Sequence, residues 1–225
     1  MTALLRYQAA LLARSHRWLP PLLLYLAFMA IGVQTGQPVL DSLGFAAAVL
    51  LPVTAWLVRV CVTNEPGAAR DCAAAAAGPA RVHLAALLTA LLTATGLAVV
   101  GTAVVTAVSD PRGTRREELP IWSAAGAGLV TAVTCVLLGA AVGALCNRPV
   151  LRSTAWAVPT TVLGAFAVLF VGGSPARAAV NGLVSGSRTA TVTVPLVPLA
   201  AAAALAAVAM AAACALSARQ PGGGP

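Results

Sequence analysis

The chain has 225 residues, of which 60% are hydrophobic and 9% are charged. A soluble domain is about a quarter charged and slightly under half apolar, so a water-soluble enzyme is excluded, and the low hydrophobicity that disorder requires is missing too. The 14 basic residues are all arginine and offset 6 acids to give a net charge of +8, which excludes a P-loop or Schiff-base lysine and points to anionic lipid headgroups rather than nucleic acid.

Residues 1–17 form the first unit, and 2–17 read as an amphipathic helix. Leu4, Tyr7, Leu11 and Trp18 share one side of a helical wheel, with Leu5 and Leu12 beside them. Arg6, Arg14 and Arg17 fall within an arc of about 80°. Thr2 is placed to cap this helix. An apolar side opposite an arginine side is the pattern of a helix lying in the membrane interface. Pro20-Pro21 then disfavour helical continuation and are expected to turn the chain into its first span.

The intervals free of Asp, Glu, Arg and His run 18–40, 42–58, 84–109, 119–147, 153–176 and 189–218. A helix crossing a bilayer needs about 20 predominantly apolar residues. Five intervals are that long, and the sixth can extend to Val62 if Arg59 snorkels to the interface. An all-α, polytopic membrane protein is therefore expected, its transmembrane domain covering 18–216. The six spans are roughly 18–37, 42–62, 84–108, 121–146, 154–172 and 192–216, followed by a short tail at 217–225. The first run is expected to be a span rather than a secretory signal peptide. A 17-residue flank precedes it, prolines open it, and no small-x-small cleavage site leads into a soluble domain.

With the N-terminus in the cytosol, the inner segments hold Arg6, Arg14, Arg17, Arg59, Arg70, Arg81, Arg148, Arg152 and Arg219. The outer ones hold Arg112, Arg115, Arg116, Arg177 and Arg188. This excess places both termini inside. Cys61, Cys72, Cys146 and Cys214 then fall at the cytosolic side and Cys135 within a span. With no CxxC spacing, neither a disulfide framework nor a zinc site is expected. His16 and His83 are too far apart in sequence to suggest a metal pair.

The loop between spans two and three predicts a helix of about three turns. Asn64 is the expected N-cap, Pro66 suits a first turn, and Glu65 complements the positive end of the helix dipole. Ala73 to Ala77 are strong helix formers, and Gly78-Pro79 are a stop. Within the spans, Gly32 with Gly36 and Gly139 with Gly143 form GxxxG pairs that allow close helix packing. Pro52 and Pro159 are expected to kink spans two and five. Beyond span five, Ser174 as N-cap and Pro175 begin a short outer helix. Thr189, Thr191 and Thr193 alternate with apolar residues, which suits an extended entry to span six. No ionisable residue is expected deep in a span, which argues against a proton-coupled carrier and an intramembrane protease.

The stretch Leu4-Leu-Arg-Tyr-Gln-Ala-Ala-Leu-Leu-Ala-Arg-Ser-His-Arg-Trp-Leu-Pro-Pro-Leu-Leu-Leu-Tyr25, with Asn64-Glu65-Pro66 after it, resembles the N-terminal part of bacterial ABC-2 type transporter permeases. The residue likeness is mostly confined to the first 83 positions. The resemblance implies an interfacial elbow helix, six spans, a cytosolic coupling helix between spans two and three, and an outer re-entrant helix between five and six. It places Glu65, Arg70 and Asp71 on or near the coupling helix and Arg14 and Arg17 at the same ATPase-facing surface. The implied partners are a cytosolic P-loop ATPase, a second permease copy or homologue, and membrane lipids, in the bacterial plasma membrane. The chain itself needs no cofactor and is not an enzyme on this view. A non-transporting accessory membrane protein and a secondary carrier are the alternatives.

Overall fold

The computed structural model describes residues 1–114, 117–147 and 153–219, without the side chains of residues 154 and 155. Arg115, Arg116, Arg148 and Arg152, which enter the orientation argument, and tail residues 220–225 lie outside the described residues. Among the described residues there are nine helices and no strand. They are α1 (Thr2–Ser15), α2 (Leu19–Gly32), α3 (Val39–Thr63), α4 (Gly67–Ala77), α5 (Pro79–Val108), α6 (Ile121–Leu145), α7 (Thr154–Phe170), α8 (Pro175–Thr189) and α9 (Leu196–Arg219).

Four helices, α3, α5, α6 and α9, are long and apolar enough to cross a membrane, and α7 with α8 makes a fifth if that bent pair counts as one span. The protein is thus membrane-embedded by the length and composition of its helices. The four long helices lie close to the ranges expected from the charge-free intervals. The first interval behaves differently. Its helix α2 has 14 residues, about 21 Å at the usual helical rise, against a hydrocarbon core of about 30 Å. The helix ends at Gly32, and Gly36 follows in a turn with φ +84°. Gly36 therefore belongs to no GxxxG packing face, whereas a Cβ on Gly32 would run into the ring of Phe45 in α3.

The core is organised around α3, which touches α2, α5, α6, α7 and α8. Leu40, Leu43, Leu50, Leu51 and Val58 of α3 are fully buried. The α3–α6 seam is close. A Cβ on Gly139 would collide with Leu51 O, and one on Gly143 would lie 2.6 Å from Val58 Cβ. Buried threonines hide their hydroxyls within their own helices. Thr54 donates to Leu50 O, Thr89 to Ala85 O and Thr131 to Ala127 O at 2.7–2.9 Å, so they pack as nearly apolar groups. Helix α9 meets α6, α5 and α8 through a run of methyl groups, Ala202, Ala206, Ala209 and Ala213.

Both α3 and α7 continue through their internal prolines. Ser174 caps α8, its Oγ accepting from Ala176 N, and Pro175 opens it, as the sequence predicts. Two other local expectations fail. The chain turns between α1 and α2 at His16, a left-handed residue with φ 55°, while Pro20-Pro21 lie within the first turn of α2. Proline lacks a backbone donor, and the first turn does not need one. Thr2 already lies inside α1, which has no side-chain cap.

Candidate functional site

Helices α1 and α4 sit at the same end of the bundle, where α3 finishes and α5 begins. Leu12 of α1 packs with Val58, Cys61 and Val62 of α3, Leu87 of α5 and Ala213 of α9. The buried stripe of α1 centres on Gln8 and Leu12, not on Tyr7 and Trp18. This is the α4 end of the bundle.

Glu65 lies in the short link between α3 and α4 and is 7% exposed. Its Oε2 accepts from Gln8 Nε2 at 3.1 Å, and its buried Oε1 has no partner among the described residues. Asn64, expected as the N-cap of α4, instead ends α3 and donates from Nδ2 to Leu11 O at 3.2 Å. Helix α4 starts later, at Gly67, behind Pro66. Arg70 is half-buried and caps the end of α3, Nη2 donating to Val62 O at 2.6 Å. A cation at a helix C-terminus suits the dipole. Partial burial raises the Tyr7 phenol above its ordinary value of 10.0, and the Glu65 carboxylate raises it further. Gln8 is the residue that sequence reasoning missed. It lies at helical spacing between Leu4 and Leu12, so a polar group on an otherwise apolar stripe was the available signal.

The five residues expected to form a partner-facing surface therefore divide. Glu65 and Arg70 hold α1, α3 and α4 together from within. Arg14, Arg17 and Asp71 are exposed, as is Arg81 at the start of α5. None of these exposed groups makes an ion pair with another described residue; among the described residues Arg112 pairs with Asp110 at 3.7 Å, at the opposite end.

Arg59 does not reach freely into the interface. Its Nη1 donates to Asn147 Oδ1 at 2.9 Å, and Asn147 Nδ2 donates to Gly143 O at 2.8 Å. The pair ties the last turns of α3 and α6, with Asn147 fully buried. His16 is exposed, and His83, half-buried, has no partner for Nε2 among the described residues. Among the described residues no three His, Cys, Asp or Glu side chains gather to hold a metal, and all five cysteines are free thiols.

Comparison with protein-family models, with curated proteins and with solved structures finds no match.

At the opposite end, Asp41 in the first turn of α3 accepts from Ser187 Oγ at 3.1 Å and Thr114 Oγ1 at 3.4 Å. Thr114 N donates to Ser187 O at 2.9 Å. This clasp joins α3, the 109–120 loop and the last turn of α8. A Cβ on Gly113 would lie 2.8 Å from Ser187 O. Gly113→Val is expected to force that backbone bond open and lower thermal stability by about 1–3 kcal/mol. A melting curve of the purified protein checks it, with Gly172→Ala, in open space, as the neutral control.

Proposed function

We propose that the chain is the permease subunit of an ATP-driven exporter in a bacterial plasma membrane, with the α4 end and both termini in the cytosol. On this reading it crosses the membrane six times. Helix α2 with the non-helical residues 33–38 makes the first pass, and α7 with α8 makes the fifth. The observation that carries the proposal is the joining of α1 to the α3–α4 link through Gln8 and Glu65 at one end of the bundle. Helix α4 itself packs on α5. A push on the exposed surface formed by Arg14, Arg17, Asp71 and Arg81 would be passed to α3 and α5, two of the long helices. The resemblance to ABC-2 permeases assigns that surface to a cytosolic P-loop ATPase and gives α1 and α4 the elbow and coupling roles. A second copy or homologue completes the pathway, and the substrate is amphipathic or hydrophobic.

The test is co-purification with a P-loop ATPase. Asp71→Arg together with Arg14→Glu reverses two exposed charges without touching the buried contacts, and is expected to lower ATPase recovery about tenfold, a loss of roughly 1.4 kcal/mol in binding. Glu65, Arg70 and Asp71 substituted in turn should also weaken ATPase association or transport. Unaltered association and transport in all these variants would overturn the assignment of the surface.

A further inference from the structure

The helices α7 and α8 meet at a break over residues 171–174, and α8 departs from the direction of α7 by 48°. Both therefore advance toward the same end of the bundle. Neighbouring side chains fix the level of the break. In α7, a Cβ on Gly164 would lie 3.1 Å from Val142 Cγ1 and 3.6 Å from Cys146 Sγ, level with the last turn of α6 at the α4 end. In α8, Val180, Leu183 and Val184 surround Gly44 of α3, and Ser187 bonds to Asp41 at the opposite end. At the helical rise, Phe170 is about 9 Å beyond Gly164, and Arg177 is at most about 15 Å short of Ser187. In a hydrocarbon core about 30 Å thick, the break falls in the middle third.

Arg177 is exposed at that level, and its Nη1 donates to Phe170 O at 2.8 Å. The bond holds the guanidinium against the last turn of α7, beside the break. Gly172 and Gly173 beside it are also exposed, Gly173 with φ +85°. A charged side chain at the centre of a bilayer is costly when it faces lipid, and non-helical backbone at that depth is tolerated only inside protein or along water. No described residue of this chain covers them. We infer that α7 and α8 are one interrupted span whose break, with Arg177, faces an aqueous cleft at the middle of the bilayer. The inference does not depend on the exporter reading.

The test uses the full chain in vesicles of phosphatidylcholine and phosphatidylglycerol, with a small fluorescent amino acid incorporated at position 172 or 178. Quenching is compared for aqueous iodide, for lipids spin-labelled at the headgroup, and for lipids spin-labelled at carbon 12. The expected result is strong quenching by both iodide and the carbon-12 label. Quenching by iodide and the headgroup label alone would place the break outside the membrane and overturn the inference. Quenching by the carbon-12 label without iodide would mean that the break faces lipid, which also overturns it. Incorporation leaves the five native cysteines in place, and the same probe at Phe166, expected to face lipid, verifies that the variants insert.

Discussion

Gly139→Ala in α6 is expected to destabilise the protein by about 1–3 kcal/mol, the usual cost of forcing a methyl group into a filled interior. The added Cβ would collide with the carbonyl oxygen of Leu51, and backbone cannot rotate out of the way as a side chain can. Gly143→Ala is expected to act in the same direction, because its Cβ would meet Val58 Cβ at 2.6 Å and Ala55 O at 3.0 Å. Gly126→Ala in the same helix is the contrast. Nothing lies within 4 Å of its added Cβ, and alanine is favoured over glycine in a helix by about 1 kcal/mol. That variant should melt at or above the parent. Thermal unfolding in detergent measures all three. Equal melting of Gly139→Ala and Gly126→Ala would show that α3 and α6 are not pressed together as described.

Gln8→Leu is expected to release α1. The substitution removes the Gln8 donor from the buried Glu65 carboxylate, whose Oε1 has no partner among the described residues. A buried group stripped of its partner costs about 1–3 kcal/mol, and more when it is charged. Trypsin should then cut after Arg6 and Arg14 faster than in the parent. The double variant Gln8→Leu with Glu65→Leu removes both polar groups and should restore much of the resistance, because an apolar pair has no desolvated charge to satisfy. A double variant as labile as Gln8→Leu alone would mean that the Gln8–Glu65 bond does not hold α1.

The four long helices were legible because a bilayer imposes one strong condition, about 20 apolar residues in succession. Composition also marked α4 well, through Ala73–Ala77 and the Gly78 stop, where Gly78 adopts φ +88°. Its beginning was misread because Asn64 has two uses for its side chain. As an acceptor it would cap α4, but as a donor it reaches Leu11 O, a contact that needs α1 to be in place. The wheel for α1 ranked residues by apolarity, so it favoured Tyr7 over Gln8 at the centre of the buried stripe. Glu65 reverses that order, since it supplies the partner that makes a buried amide tolerable. The shortness of α2 also escaped a count of charges, because Gly32 and Gly36 end a helix without adding any. The same counting assigns Arg177 to an outer segment; the level inferred for it rests instead on the contacts of Gly164 with α6 and of Ser187 with Asp41.

The alanine face of α9 has a further consequence. Ala202, Ala206, Ala209 and Ala213 lose no rotamer freedom when they are buried. They also present low, similar ridges to α6 and α5, where leucines would interlock in one register. A small axial slide of α9 would therefore exchange one set of methyl contacts for another, with Met210, Cys214 and Leu137 adjusting beside them. The α3–α6 seam, locked by Gly139 and Gly143 against backbone carbonyls, has no such freedom. The bundle thus combines one fixed joint with one lubricated one, and shear motion is expected to concentrate at α9.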